Sequence, residues 1–132
     1  MHLKLITHDR VVFDEDVNEI YTKGVDGEFG ILENHIPVMT ALDVGVTKVI
    51  KGSETFMFTT MGGIFQFKDN KAIILTDVAE SGTDIDVARA NSAKERAEAR
   101  LADKKSEIDT KRAEAALARA KARLKVALNN NG

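Results

Sequence analysis

The chain has 132 residues, with 19 Lys+Arg against 21 Asp+Glu, a single proline and no cysteine or tryptophan. That size suits one modest core or a small domain with an appendage, and the missing cysteines exclude disulfides and thiolate metal sites. A net charge of −2 argues against general nucleic-acid affinity, and no apolar run approaches the ~18 residues expected of a membrane-spanning helix.

Met1-His2-Leu3-Lys4 leads into alternating residues rather than the apolar stretch of a signal peptide, so a soluble intracellular protein is expected. Short alternating segments then recur at residues 3–6, 11–13, 17–21, 44–50, 55–60, 64–67 and 72–75. Turn signals separate them: Gly24-Val25-Asp26-Gly27, Gly52-Ser53, Gly62-Gly63 and Asp69-Asn70. Many short strands at this spacing predict an antiparallel β-sandwich or flattened barrel. The pairs Phe56/Phe58 and Phe65/Phe67 are placed on the inner faces of its two sheets.

Composition breaks near Glu80. Residues 1–80 carry 7 Lys+Arg and 13 Asp+Glu, whereas residues 81–132 carry 12 and 8. All seven aromatics precede residue 68, and 13 of the 16 alanines follow residue 80. Such a shift marks a structural boundary. The α+β architecture predicted is a β-sandwich over 1–82 followed by a two-helix hairpin over 83–132.

In the second region Thr83-Asp84-Ile85-Asp86 reads as a capping box, with Thr83 as N-cap. Ala90, Ala93, Ala97 and Leu101 recur at helical spacing. Asp103-Lys104-Lys105-Ser106 interrupts the stripe, which resumes at Ala113, Leu117, Ala120, Leu124 and either Ala127 or Leu128. Asn129-Asn130-Asn131-Gly132 closes the second helix. The stripes permit close approach but supply little apolar area. Only eight large aliphatic residues follow residue 81: Ile85, Val87, Leu101, Ile108, Leu117, Leu124, Val126 and Leu128. The helices are therefore expected to form, but their arrangement needs a second docking partner.

Arg89 and Arg96 share one face of the first helix, and Arg119 and Arg123 share one face of the second. In an antiparallel hairpin these faces can converge on one cleft, and guanidinium groups match phosphate oxygens well. An ordinary solvated helix face explains the same pattern. No Walker loop, metal-ligand spacing or nucleophile motif is present, so catalysis is not expected. His2, His8 and His35 stand apart, His35 reads as a loop residue beside Pro37, and Asp14-Glu15-Asp16 reads as a solvated turn rather than a metal site.

Gly27-Glu28-Phe29-Gly30-Ile31-Leu32, Asn34-His35-Ile36-Pro37 and Met61-Gly62-Gly63-Ile64 resemble, in order and spacing, motifs of the epsilon-subunit family of F-type ATP synthases. The resemblance extends over essentially the whole chain. It implies a non-catalytic sandwich at the foot of the rotary shaft, peripheral on the cytoplasmic face of the membrane, touching the gamma subunit and the proton ring. Glu28, Phe29 and His35 are the ring-facing residues it implies, although Phe29 equally suits filling the end of the sandwich. It also implies a mobile hairpin that is permissive when folded down and inhibits ATP hydrolysis when extended. In the extended form its basic residues (Lys104, Lys105, Arg112, Lys121, Arg123) would meet acidic surfaces of the alpha/beta catalytic head.

Ile85-Asp86-Val87-Ala88-Arg89-Ala90 further resembles the I/L-D-x-x-R-A signature of ATP-binding bacterial members of that family. The resemblance places Ile85, Asp86, Arg89 and Ala90 around the base, with Glu80 at its exocyclic amine. Arg96, Arg119 and Arg123 would take ribose and phosphates. ATP, with or without Mg2+, is then a regulatory ligand. Two other readings stand beside this one: a purely structural rotor component and a free-standing nucleotide sensor.

Overall fold

The computed structural model describes residues 1–103 and 107–129. Ten strands form first: β1 (His2–Ile6), β2 (Val11–Asp16), β3 (Glu19–Gly24), β4 (Gly27–Leu32), β5 (Val38–Ala41), β6 (Val44–Lys51), β7 (Glu54–Met61), β8 (Ile64–Lys68), β9 (Lys71–Leu75) and β10 (Ala79–Glu80). Helices α1 (Val87–Asp103) and α2 (Glu107–Asn129) follow. The strands make two five-stranded sheets, ordered β2-β1-β9-β8-β5 and β10-β7-β6-β3-β4.

The predicted sandwich is present, and its alternating residues meet between the sheets. Leu3, Leu5, Phe65, Phe67 and Ile74 of the first sheet and Ile20, Ile31, Val49 and Phe58 of the second are buried in one core. Aromatic rings tie the layers together. Phe13 stands 5.3 Å from Phe56 and 5.6 Å from Phe58, centroid to centroid, and Phe29 stands edge-on to Phe65 at 5.3 Å. Phe56/Phe58 and Phe65/Phe67 do lie on opposite sheets.

One pairing departs from the antiparallel expectation: β1 runs parallel to β9. Antiparallel pairs can close through tight turns, but β1 and β9 are distant in sequence, so no hairpin dictates their direction. β4 and β5 were not among the predicted strands. β4 alternates weakly because Gly27, Glu28 and Gly30 dilute its pattern, and β5 has only four residues. Gly30 leaves room for its neighbour, since a Cβ there would sit 2.7 Å from the Tyr21 ring across the strand pair and push the ring aside.

The helix start is also shifted. A 3-10 turn over Gly82–Asp84 comes first, and the Ser81 N–H and hydroxyl both donate to Asp84 Oδ2 at 3.0 Å. Ile85 then returns to extended geometry. Asp86, not Thr83, caps α1, because its Oδ1 accepts the Arg89 N–H at 3.0 Å. Ser81-x-x-Asp84 competes with Thr83-x-x-Asp86 for the same signal, and the earlier pair wins the turn.

Helix α2 lies on the outer face of the second sheet, over β6 and β7, and α1 packs chiefly on α2. The predicted stripes form the helix–helix seam: Ala90, Ala97, Ala113, Ala120 and Ala127 are buried, while Leu101, Leu117 and Leu124 are half-buried. A second stripe on α2, at 119, 122, 123 and 126, turns toward the sheet, where Ala122 and Val126 are buried. The expected loop residues 104–106, including Lys104 and Lys105, and the stop residues 130–132 lie outside the described residues.

Candidate functional site

A cleft of about 400 Å³ opens where the sandwich hands over to the helices. It is lined by Glu80 from β10, Asp84 and Ile85 from the 3-10 turn, Asp86 at the helix cap, Arg89, Ala90, Ala93 and Arg96 from α1, and Arg123 from α2. The cap at Asp86 fixes the direction of α1, so positions 89, 90, 93 and 96 fall on one wall. The pairing of β10 with β7 brings Glu80 opposite Thr59 and sets it beside α2.

Glu80 is the anchor of this corner. Its Oε1 accepts from Arg123 Nε–H at 2.9 Å and from the Thr59 hydroxyl at 3.0 Å, and its backbone N–H donates back to Thr59 Oγ1 at 3.0 Å. The Arg123 Nη2 group also reaches the Met61 sulfur at 3.9 Å. This ion pair, half-buried on both sides, is therefore a direct tie between α2 and the sandwich. Chemically the cleft offers three guanidinium groups, three carboxylates (Glu80, already paired with Arg123, and Asp84 and Asp86 at the turn), and a small apolar wall at Ile85, Ala90 and Ala93. That set suits a ligand with an anionic tail and an apolar ring.

Seven of the eight sequence-derived nucleotide residues meet here: Glu80, Ile85, Asp86, Arg89, Ala90, Arg96 and Arg123. Arg119 does not line the cleft. It sits half-buried one helical turn before Arg123. Asp84, Ala93 and Thr59 were missed. Asp84 carried a local signal in Ser81-x-x-Asp84, whereas the part played by Thr59 appears only once β10 pairs with β7.

The residues assigned to a ring contact do not form one cluster. Glu28 is exposed near the β3–β4 turn, and His35 is exposed in the loop beyond the other end of β4. Phe29 is half-buried and packs on Phe65, so it fills the sandwich end. His35 Nδ1 lies 2.7 Å from the Ile36 carbonyl oxygen, with its ring edge-on to Phe67 at 6.0 Å.

Two further surfaces stand out. The outer face of the first sheet, away from the helices, carries an apolar row in register: Val11, Ile6, Leu75, Ile64 and Ala41. Val11, Leu75, Ile64 and the neighbouring Ile73 and Met39 are exposed. At its edge, His2 bridges two carboxylates, with Nδ1 2.7 Å from Asp16 and Nε2 bonded to Asp14. These bonds, to Asp16 first, raise the His2 pKa above 6.5, and the same contact lowers that of Asp16 below 3.8. Glu15 meets Lys51 of the other sheet at 2.5 Å, and the acidic triplet is part of β2 rather than a turn. No group of three or more potential metal ligands occurs among the described residues.

Comparison with known proteins places this architecture. The beta-sandwich domain of the ATP synthase Delta/Epsilon chain matches residues 1–82, and the long alpha-helix domain of the same family matches residues 83–127. The chain belongs to the ATP synthase delta/epsilon family. It is 45% identical over 102 residues to the ATP synthase epsilon chain of Pelotomaculum thermopropionicum, covering 77% of this chain and 76% of that one. The epsilon chain of Halalkalibacterium halodurans is 45% identical over 105 residues, covering 80% and 79%. Among solved structures, a chain of the Euglena gracilis mitochondrial ATP synthase superposes with a TM-score of 0.82 at 26% identity, over 96% of this chain and 79% of that one. The family assignment makes the chain a stalk subunit of epsilon type rather than a catalytic one. No described helix is long and apolar enough to cross a membrane.

Proposed function

We propose that this epsilon-type subunit couples rotor to catalytic head in a proton-translocating ATP synthase and restrains ATP hydrolysis through its hairpin, whose folded-down form ATP stabilises. The observation that carries the reading is the convergence of Arg89, Arg96 and Arg123 with Glu80 and Asp86 on one cleft. A ligand there touches the sandwich edge and both helices at once, so it binds the docked hairpin and not the extended one. In the proposed pose the base rests on Ile85 and Ala90 near Glu80, and the phosphates lie toward Arg96 and Arg123. Arg119 would join by swinging from its present place one turn away.

Linkage sets the size of the effect. A ligand present at about a thousand times its Kd stabilises the state it binds by roughly 4 kcal/mol. Full reversal of a 1:99 population takes about 5.5 kcal/mol. ATP thus biases a near-balanced hairpin strongly without locking it. High ATP favours the compact form, and depletion frees the helices, with Arg112, Lys121 and Arg123, to reach acidic surfaces of the alpha/beta head.

The apolar row across the first sheet supports a gamma-subunit contact on that face, which the helices leave open. A proton ring lying along the open edge of β4 would meet Glu28 and His35 together, one from each end of the strand, with Phe29 holding the edge in place. Such placement puts the subunit at the cytoplasmic side of the membrane without inserting into it.

Titration of ATP into the whole chain tests the reading. Higher thermal stability and shifted amide signals in both helices are expected at millimolar ATP, and Arg89→Ala or Arg123→Ala should weaken both. Unchanged stability and unshifted helix signals would leave the second reading, a structural rotor component. The Glu80–Arg123 pair, which itself ties α2 to the sandwich, is the observation in its favour.

A further inference from the structure

The outer face of the second sheet holds another opening, separate from the Arg-lined cleft. Beside the C-terminal half of α2 a groove of about 390 Å³ is lined by Tyr21, Gly30, Val46, Lys48, Met57 and Lys125. Its floor is the ring of Tyr21. The Tyr21 hydroxyl donates to Glu19 at 2.5 Å, and the ring lies over Gly30, which has no Cβ to displace it. Val46 and Met57 add apolar wall. Lys48 from β6 and Lys125 from α2 bring two exposed ammonium groups, and neither is in an ion pair among the described residues.

We propose that this groove binds a single oxyanion carried on a flat apolar ring, such as an aryl phosphate or aryl carboxylate. The ring lies on Tyr21 and Gly30, and the anion lies between Lys48 and Lys125. The volume is at the small end for ligand pockets, which suits one ring rather than an extended molecule. Two unpaired lysines supply charge complementarity, and the carboxylate of Glu28 on the same lining disfavours a polyanion. That separates this ligand from the triphosphate proposed for the other cleft.

Lys125 belongs to α2 and the other lining residues to the sheet, so the groove is complete only while the helix is docked. An occupant therefore favours the folded-down hairpin and raises ATP affinity, by reciprocal linkage. This coupling rests on the mobile-hairpin reading; binding in the groove does not.

The test is an amide-shift titration of the full chain with phenyl phosphate, and with phenol and inorganic phosphate as separate arms. Phenyl phosphate should saturably shift Tyr21, Gly30, Lys48 and Lys125, with the other two at least about tenfold weaker. Lys48→Gln and Lys125→Gln should each weaken binding by about threefold to tenfold, while Lys68→Gln, exposed on the other sheet, should leave it unchanged. Absence of a saturable shift, equal binding of inorganic phosphate, or unaffected lysine variants would overturn the proposal. Saturating phenyl phosphate should also raise ATP affinity in the wild type but not in Lys125→Gln, and an unchanged wild-type affinity would overturn the coupling. Failure of ATP to bind at all would defeat the nucleotide cleft while leaving the phenyl phosphate titration intact.

Discussion

The sandwich and the hairpin hold themselves together by different means. The sandwich core gathers fifteen buried residues, among them Phe13, Phe58, Phe65 and Phe67, and every one precedes Glu80. The described hairpin residues that reach the same burial are six alanines and Val126. Of its larger aliphatics, Val87 remains 41% exposed and Leu128 70% exposed. Apolar burial stabilises in proportion to area, so the sandwich has a core of its own while the hairpin leans on a thin seam and on the Glu80–Arg123 pair. An element of that kind is fit to change partners.

The contrast can be broken from either side. Ile74→Ala in the sandwich should cost about 2–5 kcal/mol of stability and lower the thermal midpoint of the strands. Val126→Ala should cost about 1–3 kcal/mol, and that loss should fall on docking. Amide exchange should then quicken in α1 and α2, while the strands keep their protection. A sandwich that melted with the helices would contradict the division.

A smaller effect is expected from Glu80→Gln, which removes the charge partner of Arg123. Hairpin docking should weaken by roughly 0.5–1 kcal/mol, and the same loss should appear in a comparison at high salt. Thr59→Ala should act in the same direction through its bond to Glu80.

The smallest effect belongs to pH and to the sandwich alone. The raised pKa of His2 makes a contribution that is complete below 6.5 and lost as pH rises through the folded value. The lowered pKa of Asp16 makes one that is present above 3.8 and lost as pH falls through its folded value. Both side chains are open to solvent, 44% for His2 and 89% for Asp16, so the melting temperature should move only slightly. The sharper readout is the His2 titration by NMR, which Asp16→Asn should bring back toward 6.5 while the helices stay unaffected.

Much of this division was legible in the residues. Alternation marked the long strands, the alanine stripes marked the helix–helix seam, and the compositional break marked the change from one to the other. The edges were harder. β4 escaped because Gly30 is chosen by the ring of Tyr21 on the neighbouring strand, a contact no local pattern carries. The cap moved from Thr83 to Asp86 because Ser81 and Asp84 close a tighter turn first. In the cleft, helical spacing put Arg89 and Arg96 on one face of α1, and both line the same wall. It also paired Arg119 with Arg123, although only the latter stands level with Glu80. The sheet-facing stripe of α2 was unreadable until the sheet was in place, since Ala122 and Val126 look no different from the residues facing α1.

The central claim is that the tail docks weakly enough for a nucleotide to decide its position. Hydrogen exchange on the whole chain, with and without millimolar ATP, tests it most directly. The strands should be strongly protected in both conditions, and α1 and α2 should exchange quickly alone and slow markedly with ATP. Helices as protected as the strands in both conditions would contradict the account.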